Sequence, residues 1–344
     1  LTDVTGVQTC ALPIYRDGTL WVGTIGGGLN RFDPNREISC RRDLAGRKTA
    51  TTGNEVISTI LRDGRGRIWI GHGTGIDRCS PDQDHFDRVS TLIGRLFEDR
   101  SGTVWLIVGL NQLHRFDEHA GRFHPFPLRL PSSASDTRID GLVYLERSGT
   151  LLVITRTRIH AFSLARRRWL DEPNSFVIPS GIRLDGISGA VETESGDILI
   201  GAFGNGIIEV ERKTRAVHQW THDPNNPWSL SNNDVIQLMV DRSGVVWIGT
   251  EGGGVDLIKK DKYKFTHHRH RHGVPGSISG DYVTAIHRDA AGDLWVGTGG
   301  MGLNRINEAE GICTVYRHDP QRPETSLSRS EEHTSELQSR QSIS

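Results

Sequence analysis

The sequence predicts an all-β fold, a seven-bladed β-propeller of four-stranded blades whose first blade is incomplete. Three observations carry this reading. A phrase of polar turn, Trp-centred apolar strand, glycine turn and second apolar strand recurs as DRSGVVWIGTEGGGVDLI (241–258), YRDGTLWVGTIGGGLNRF (15–32) and DAAGDLWVGTGGMGLNRI (289–306). Its strand centre falls at Trp21, Trp69, Trp105, Leu152, Leu199, Trp247 and Trp295, seven copies spaced by 36 to 48 residues, the period of a propeller or solenoid unit. The 40 glycines favour strands and turns, and no helical periodicity competes with them.

Within the sixth copy, Val235 to Val240 is a short apolar first strand. DRSG (241–244) then turns the chain, Asp accepting backbone N–H groups and Gly taking the strained position. The Trp strand (245–250) ends in EGGG, a hairpin that needs residues free to adopt positive φ. A third strand (255–258) leads through the charged KKDKYK turn to a polar fourth strand (265–269). The connection HDPNNPWSLSNND (222–234), rich in Pro, Asn and Ser, joins one copy to the next. Four such strands stacked radially make a blade. Copy three replaces the glycine hairpin by Gly109-Leu110-Asn111, copy four lacks both Trp and glycines, and copy five keeps Gly201, Gly204 and Gly206. Leu152 and Leu199 fill the Trp position by similar apolar volume.

The two ends read differently. Val4 to Ile14, VTGVQTCALPI, back-translates to a DNA string whose reverse complement encodes RSEEHTSELQS, which is Arg329 to Ser339. Two peptides antisense to each other are expected of sequencing-library adapter. Residues 1–14 and 329–344 are therefore set apart as adapter-derived, leaving 15–328 as the propeller repeats. On this reading the first blade lacks its innermost strand, and the array is a piece of a longer one.

A chain of 344 residues with 35% hydrophobic content and a net charge of -1 can bury a large core and has no charge excess for nucleic acid. No apolar run approaches the roughly 18 residues of a membrane-spanning helix, and no signal segment opens the chain. The four cysteines form no CxxC pair and no zinc-ligand spacing; Cys40 and Cys313 fall at similar outer-strand places, and no disulfide is expected.

The phrase 241–258, preceded by HDPNNPWSLSNNDVIQLMV (222–240), resembles the two-component regulator propeller repeat of sensor ectodomains in bacterial hybrid histidine kinases and related signalling proteins. That resemblance implies a parent with two propellers, a β-sandwich, a membrane helix and an output module such as a kinase, with glycans as ligands. It also implies a periplasmic location, a dimeric membrane-anchored parent, and adjoining repeats and the β-sandwich as partners. The chain itself is then a ligand-sensing module that is not an enzyme and needs no cofactor. Two other classes stay open: a propeller lyase of the streptogramin-degrading type, requiring His and Asp or Glu converging with a metal, and a protein-interaction scaffold.

The glycine hairpins are read as turns, because an apolar strand and not a helix N-terminus follows each. Trp21, Trp69, Trp105, Trp247 and Trp295 are read as inter-blade packing, and Trp169 and Trp220 as half-exposed fourth-strand residues. The candidate ligand contacts lie in the connections: Trp228 as an aromatic platform or lid, with Asn232, Asn233, Asp234, Asn54, Glu55, Asp281 and Tyr282 as polar groups around the channel mouth. In THHRHRH (266–272), alternation puts His268, His270 and His272 on one face of an extended strand. This is a charged outer edge, with zinc or copper ligation as the alternative. Arg156, Arg158 and Arg166 to Arg168 form a basic hairpin in copy four, solvated or in contact with an anion. No nucleophile elbow, HExxH or kinase motif is present, and no metal site is assigned.

Overall fold

The computed structural model describes residues 8–11, 20–26, 28–33, 38–42, 44, 55–80, 85–131, 138–170, 175–184, 186–258, 265–274, 276–289, 291–308 and 310–317. Among them every regular element is a strand, in six antiparallel sheets. The sixth copy follows the predicted order, Val235–Val240, Val246–Thr250, Gly254–Ile258 and Phe265–His268, each strand paired to the one before it. Copies one and two share a single eight-stranded sheet, because Leu20–Gly26 also pairs with the start of Glu55–Arg62 through Ile25↔Val56 and Gly26↔Glu55. Seven strand sets thus make six sheets. In copy four the short strand Phe176–Val177 adds to Arg158–Ser163.

The first set is partial. Its innermost position is taken by the four residues Gln8–Ala11, paired with Leu20–Gly26 across a register shift. Ladder pairing is made by backbone groups, so a segment unrelated to the repeat can cover that edge.

Two compact units share the chain: Leu1–Gly94 with His270–Gly280 and His287–Ser344, and Arg95–Arg269 with Asp281–Ile286. In the first unit, copies one and seven are neighbours. Phe32 meets Trp295 and Tyr316 edge-on, with ring centroids 6.3 and 4.9 Å apart. In both units the core lies between consecutive strand sets, as in the cluster of Trp21, Leu29, Ile57, Ile70 and Phe86, and in that of Leu199, Ile207, Val235, Ile248 and Phe265. All five strand-centre tryptophans are buried, and so are Leu152 and Leu199 in their place. Trp169 and Trp220 are half-buried on fourth strands.

The DxSGxxW phrase is explained by one carboxylate. Asp241 Oδ1 accepts from Ser243 N and Val245 N at 2.9 and 3.0 Å, and Oδ2 accepts from Trp247 Nε1 at 2.9 Å. The same bond to the indole joins Asp63 to Trp69, Asp99 to Trp105 and Asp289 to Trp295, at 2.8, 2.7 and 2.8 Å. One side chain therefore closes the turn and fixes the buried ring six residues later.

The glycine that opens the third strand has an equally local cause. At Gly254, φ is +81° and an added Cβ would lie 2.3 Å from the carbonyl oxygen of His268. Gly75, Gly206 and Gly302 repeat this approach to the fourth strand. Gly254→Ala is expected to cost more than about 1 kcal/mol, since both the φ and the close contact oppose a side chain. A denaturant melt of the variant checks it.

Candidate functional site at the loop end of the sheets

Antiparallel order brings the hairpin between the second and third strands to the same sheet end as the connection between the fourth strand and the next first strand. This loop end holds the residues predicted to contact ligand. Asn54 lies outside the described residues, and Glu55 opens its strand by pairing with Gly26.

In the second unit the connection 222–234 is a built turn. Asn232 Nδ2 donates to Glu251 O at 2.6 Å while its Oδ1 accepts from Asp234 N at 2.9 Å, and Asn233 Oδ1 accepts from His222 N at 2.7 Å. Asp281 contributes its backbone, its carbonyl accepting from Gly252 N and Gly254 N at 3.0 and 2.8 Å. Tyr282 bridges to Glu251 and is partly exposed. Trp228 is 51% exposed, and its carbonyl accepts from Phe265 N, which seats it beside the fourth strand. The half-buried Asp234 carboxylate makes no hydrogen bond to a described residue and approaches Gly204 of the neighbouring hairpin.

A buried polar position holds this connection down. Asp256, in the middle of the third strand and 0% exposed, accepts from Ser231 N at 2.8 Å and from His267 Nδ1 at 2.6 Å. His267 Nε2 lies 3.0 Å from Pro227 O. With Asp256 ionised, both partners of the ring accept, an arrangement that favours the cationic imidazole. The hydrogen bond to Asp256 is the main reason its pKa is raised, and burial opposes it. In the first unit Asn304 takes the equivalent place, accepting from Ser279 N at 2.8 Å. Asn30, Asp77, His114 and His160 are buried at the same register.

The predicted common face of His268, His270 and His272 does not form. The strand ends at His268, which stacks on Trp247, while His270 Nδ1 contacts Ile278 O at 2.8 Å. Among the described residues, no group of three or more His, Cys, Asp or Glu side chains is placed to hold a metal ion.

What the loop end leaves open is apolar and basic. In the second unit the exposed large hydrophobic side chains among the described residues are Leu110, Phe203, Trp228 and Tyr282, in its hairpins and connections, and Val177, in the short strand added at the same end. In the first unit Ile93, Val274 and Met301 do the same, Val56 lies at the start of its first strand at this end, and among the described residues Ile312 lies at the other end. Beside them, in copy four, a cleft is lined by Arg138, Arg156 and Arg183 with Thr155, Thr157 and Ser180. Arg138 pairs with Asp140 at 2.6 Å, whereas Arg156 makes no hydrogen bond or ion pair to a described residue. Arg156 belongs to the predicted basic hairpin. Arg138 and Arg183 join it from other segments of the chain, which spacing in sequence does not reveal.

Strand order and the repeated Asp–Trp bond define the blades of a β-propeller. Residues 52–74, 229–252 and 277–300 match the family model described as Two component regulator propeller, and the chain carries the two-component regulator propeller repeat. No curated protein matches it. Among solved structures it is similar to the extracellular domain of the hybrid two component system BT4673 from B. thetaiotaomicron, with 15% identity, 92% of this chain and 52% of that one covered, and a TM-score of 0.48. The chain thus spans about half the length of that ectodomain. It is also similar to a catalytically inactive virginiamycin B lyase from Staphylococcus aureus with Quinupristin, at 12% identity, 89% and 96% coverage and a TM-score of 0.61. The Dos1 propeller gives 10% identity, 88% and 92% coverage and a TM-score of 0.60. At these identities the likeness is one of fold.

Proposed function

We propose that the chain is the ligand-sensing propeller of an extracytoplasmic two-component sensor and takes its ligand at the loop end. The observation that carries this is the segregation of exposed apolar side chains to that end, beside a cleft of three arginines. Soluble proteins seldom gather exposed apolar groups on one face without a partner for them. Aromatic platforms next to guanidinium forks suit an oligosaccharide bearing an acidic group, the ring lying on Phe203 or Tyr282 and the carboxylate or sulfate meeting Arg156. The sensor context follows from the repeat. In it the parent is a dimer anchored in the inner membrane, the propeller faces the periplasm, and binding is relayed through adjoining repeats and a β-sandwich to an output domain.

The test is calorimetric titration with matched neutral and acidic oligosaccharides. Arg156→Ala is expected to weaken an acidic ligand at least about tenfold, as loss of charge-assisted hydrogen bonds does, without lowering the melting temperature. Failure of the whole panel to bind, or equal binding by the variant, would overturn the reading.

A further inference from the structure

At the opposite end of the sheets, where the first strand turns into the second, an open cleft of about 90 Å³ lies between copies five and six. Its origin can be read from the repeat. In copy one Trp21 meets Phe86 of copy two edge-on, with centroids 5.8 Å apart. In copy five Leu199 stands in the Trp position and Thr193 in that of the Asp, and Phe265 is the counterpart of Phe86. The Asp–Trp staple of copies two, three, six and seven is absent here, and the cleft is lined by Thr193, Leu199 and Phe265.

A polar group faces the space. Glu209 is 7% exposed; its Oε2 accepts from Trp220 Nε1 at 2.9 Å, and its Oε1 accepts no hydrogen bond from a described residue. Burial raises its pKa against the bond from Trp220, and the charges of Glu211 and Asp197 push the same way. A carboxyl group in that position favours a partner that brings positive charge and donors. Glu194 and Asp197 also line the cleft and add negative potential, while Trp220 and Phe265 supply aromatic rings.

We propose that this cleft binds a small organic cation, an ammonium group on an apolar body, with Glu209 Oε1 as acceptor and Trp220 and Phe265 against the apolar part. The site is separate from the loop end and stands whether or not a saccharide binds there. Its chemistry requires the charge, so a neutral compound of the same shape discriminates it from a nonspecific apolar hollow.

The experiment follows the Trp220 indole N–H by NMR in the full chain during titration with benzylammonium and, in parallel, with benzyl alcohol. Benzylammonium is expected to shift the signal saturably and to bind at least about tenfold more tightly than the alcohol, the difference a charged hydrogen bond makes. Glu209→Gln keeps an acceptor for Trp220 and is expected to bring the two probes to equal affinity. Leu199→Trp with Thr193→Asp rebuilds the staple, fills the cleft and is expected to abolish binding. No saturable shift with benzylammonium, equal response to the alcohol, or an unchanged preference in Glu209→Gln would overturn the proposal.

Discussion

Replacing Asp256 by alanine is expected to destabilise the protein by about 3–5 kcal/mol, the cost of removing one partner from a buried ion pair. The substitution strands Ser231 N and the His267 ring together, and with them the connection 222–234 that the pair ties to its blade. The repeat supplies an internal control. Asn304 does the same work in copy seven without a charge, accepting from Ser279 N while its Nδ2 donates to Val296 O at 3.0 Å, and it faces Val315 on the fourth strand. Asp256→Asn with His267→Val transplants that solution and is expected to recover most of the loss. If both variants melt alike in urea, the clasp is not what holds the connection.

The same pair sets a pH dependence. His267 has a raised pKa in the folded chain, so its contribution is complete below the ordinary imidazole value and is lost as pH rises through the raised one. Stability should therefore fall as pH rises above the ordinary imidazole value in the parent chain and should fall less in the Asn/Val variant.

How much of this was legible in the sequence depends on the range of each contact. The seven copies, the strand order and the buried tryptophans could be read because period and apolar alternation are local. Asp241 was readable as a turn former, but its second oxygen on Trp247 was not, because that contact leaves the turn. The polar residue at mid-strand is visible in GLN, GID and GVD as a break in an apolar run. Its meaning is not, since Asp256 binds Ser231, 25 residues earlier. Asn232 and Asn233 were expected at a ligand; the Asn232 amide and the Asn233 Oδ1 also bond within the loop end. A long connection must satisfy its own backbone before it can offer anything outward. The aromatic and arginine side chains of the loop end come from several copies, so only the fold collects them.

Asp241→Ala is expected to cost about 2–3 kcal/mol, because it leaves the buried Trp247 N–H without its acceptor and opens the turn before the strand. Burial alone would raise the pKa of Asp241, but hydrogen bonds from Ser243, Trp247 and Val245 outweigh it and hold the carboxyl below the ordinary range. The sign follows. A depressed folded pKa gives stability that is present above the unfolded value and disappears as pH falls through the folded one. Acid should therefore weaken the parent chain at this site and leave Asp241→Asn unaffected there. The asparagine is not a neutral replacement, because its Nδ2 would confront either the indole N–H or the turn amides, donor against donor. It should show a large part of the alanine effect at neutral pH. Exchange of the Trp247 indole proton with solvent deuterium separates the two roles of the carboxylate. If that proton exchanges no faster in Asp241→Asn than in the parent, the bond to the ring contributes nothing and the turn alone accounts for the motif.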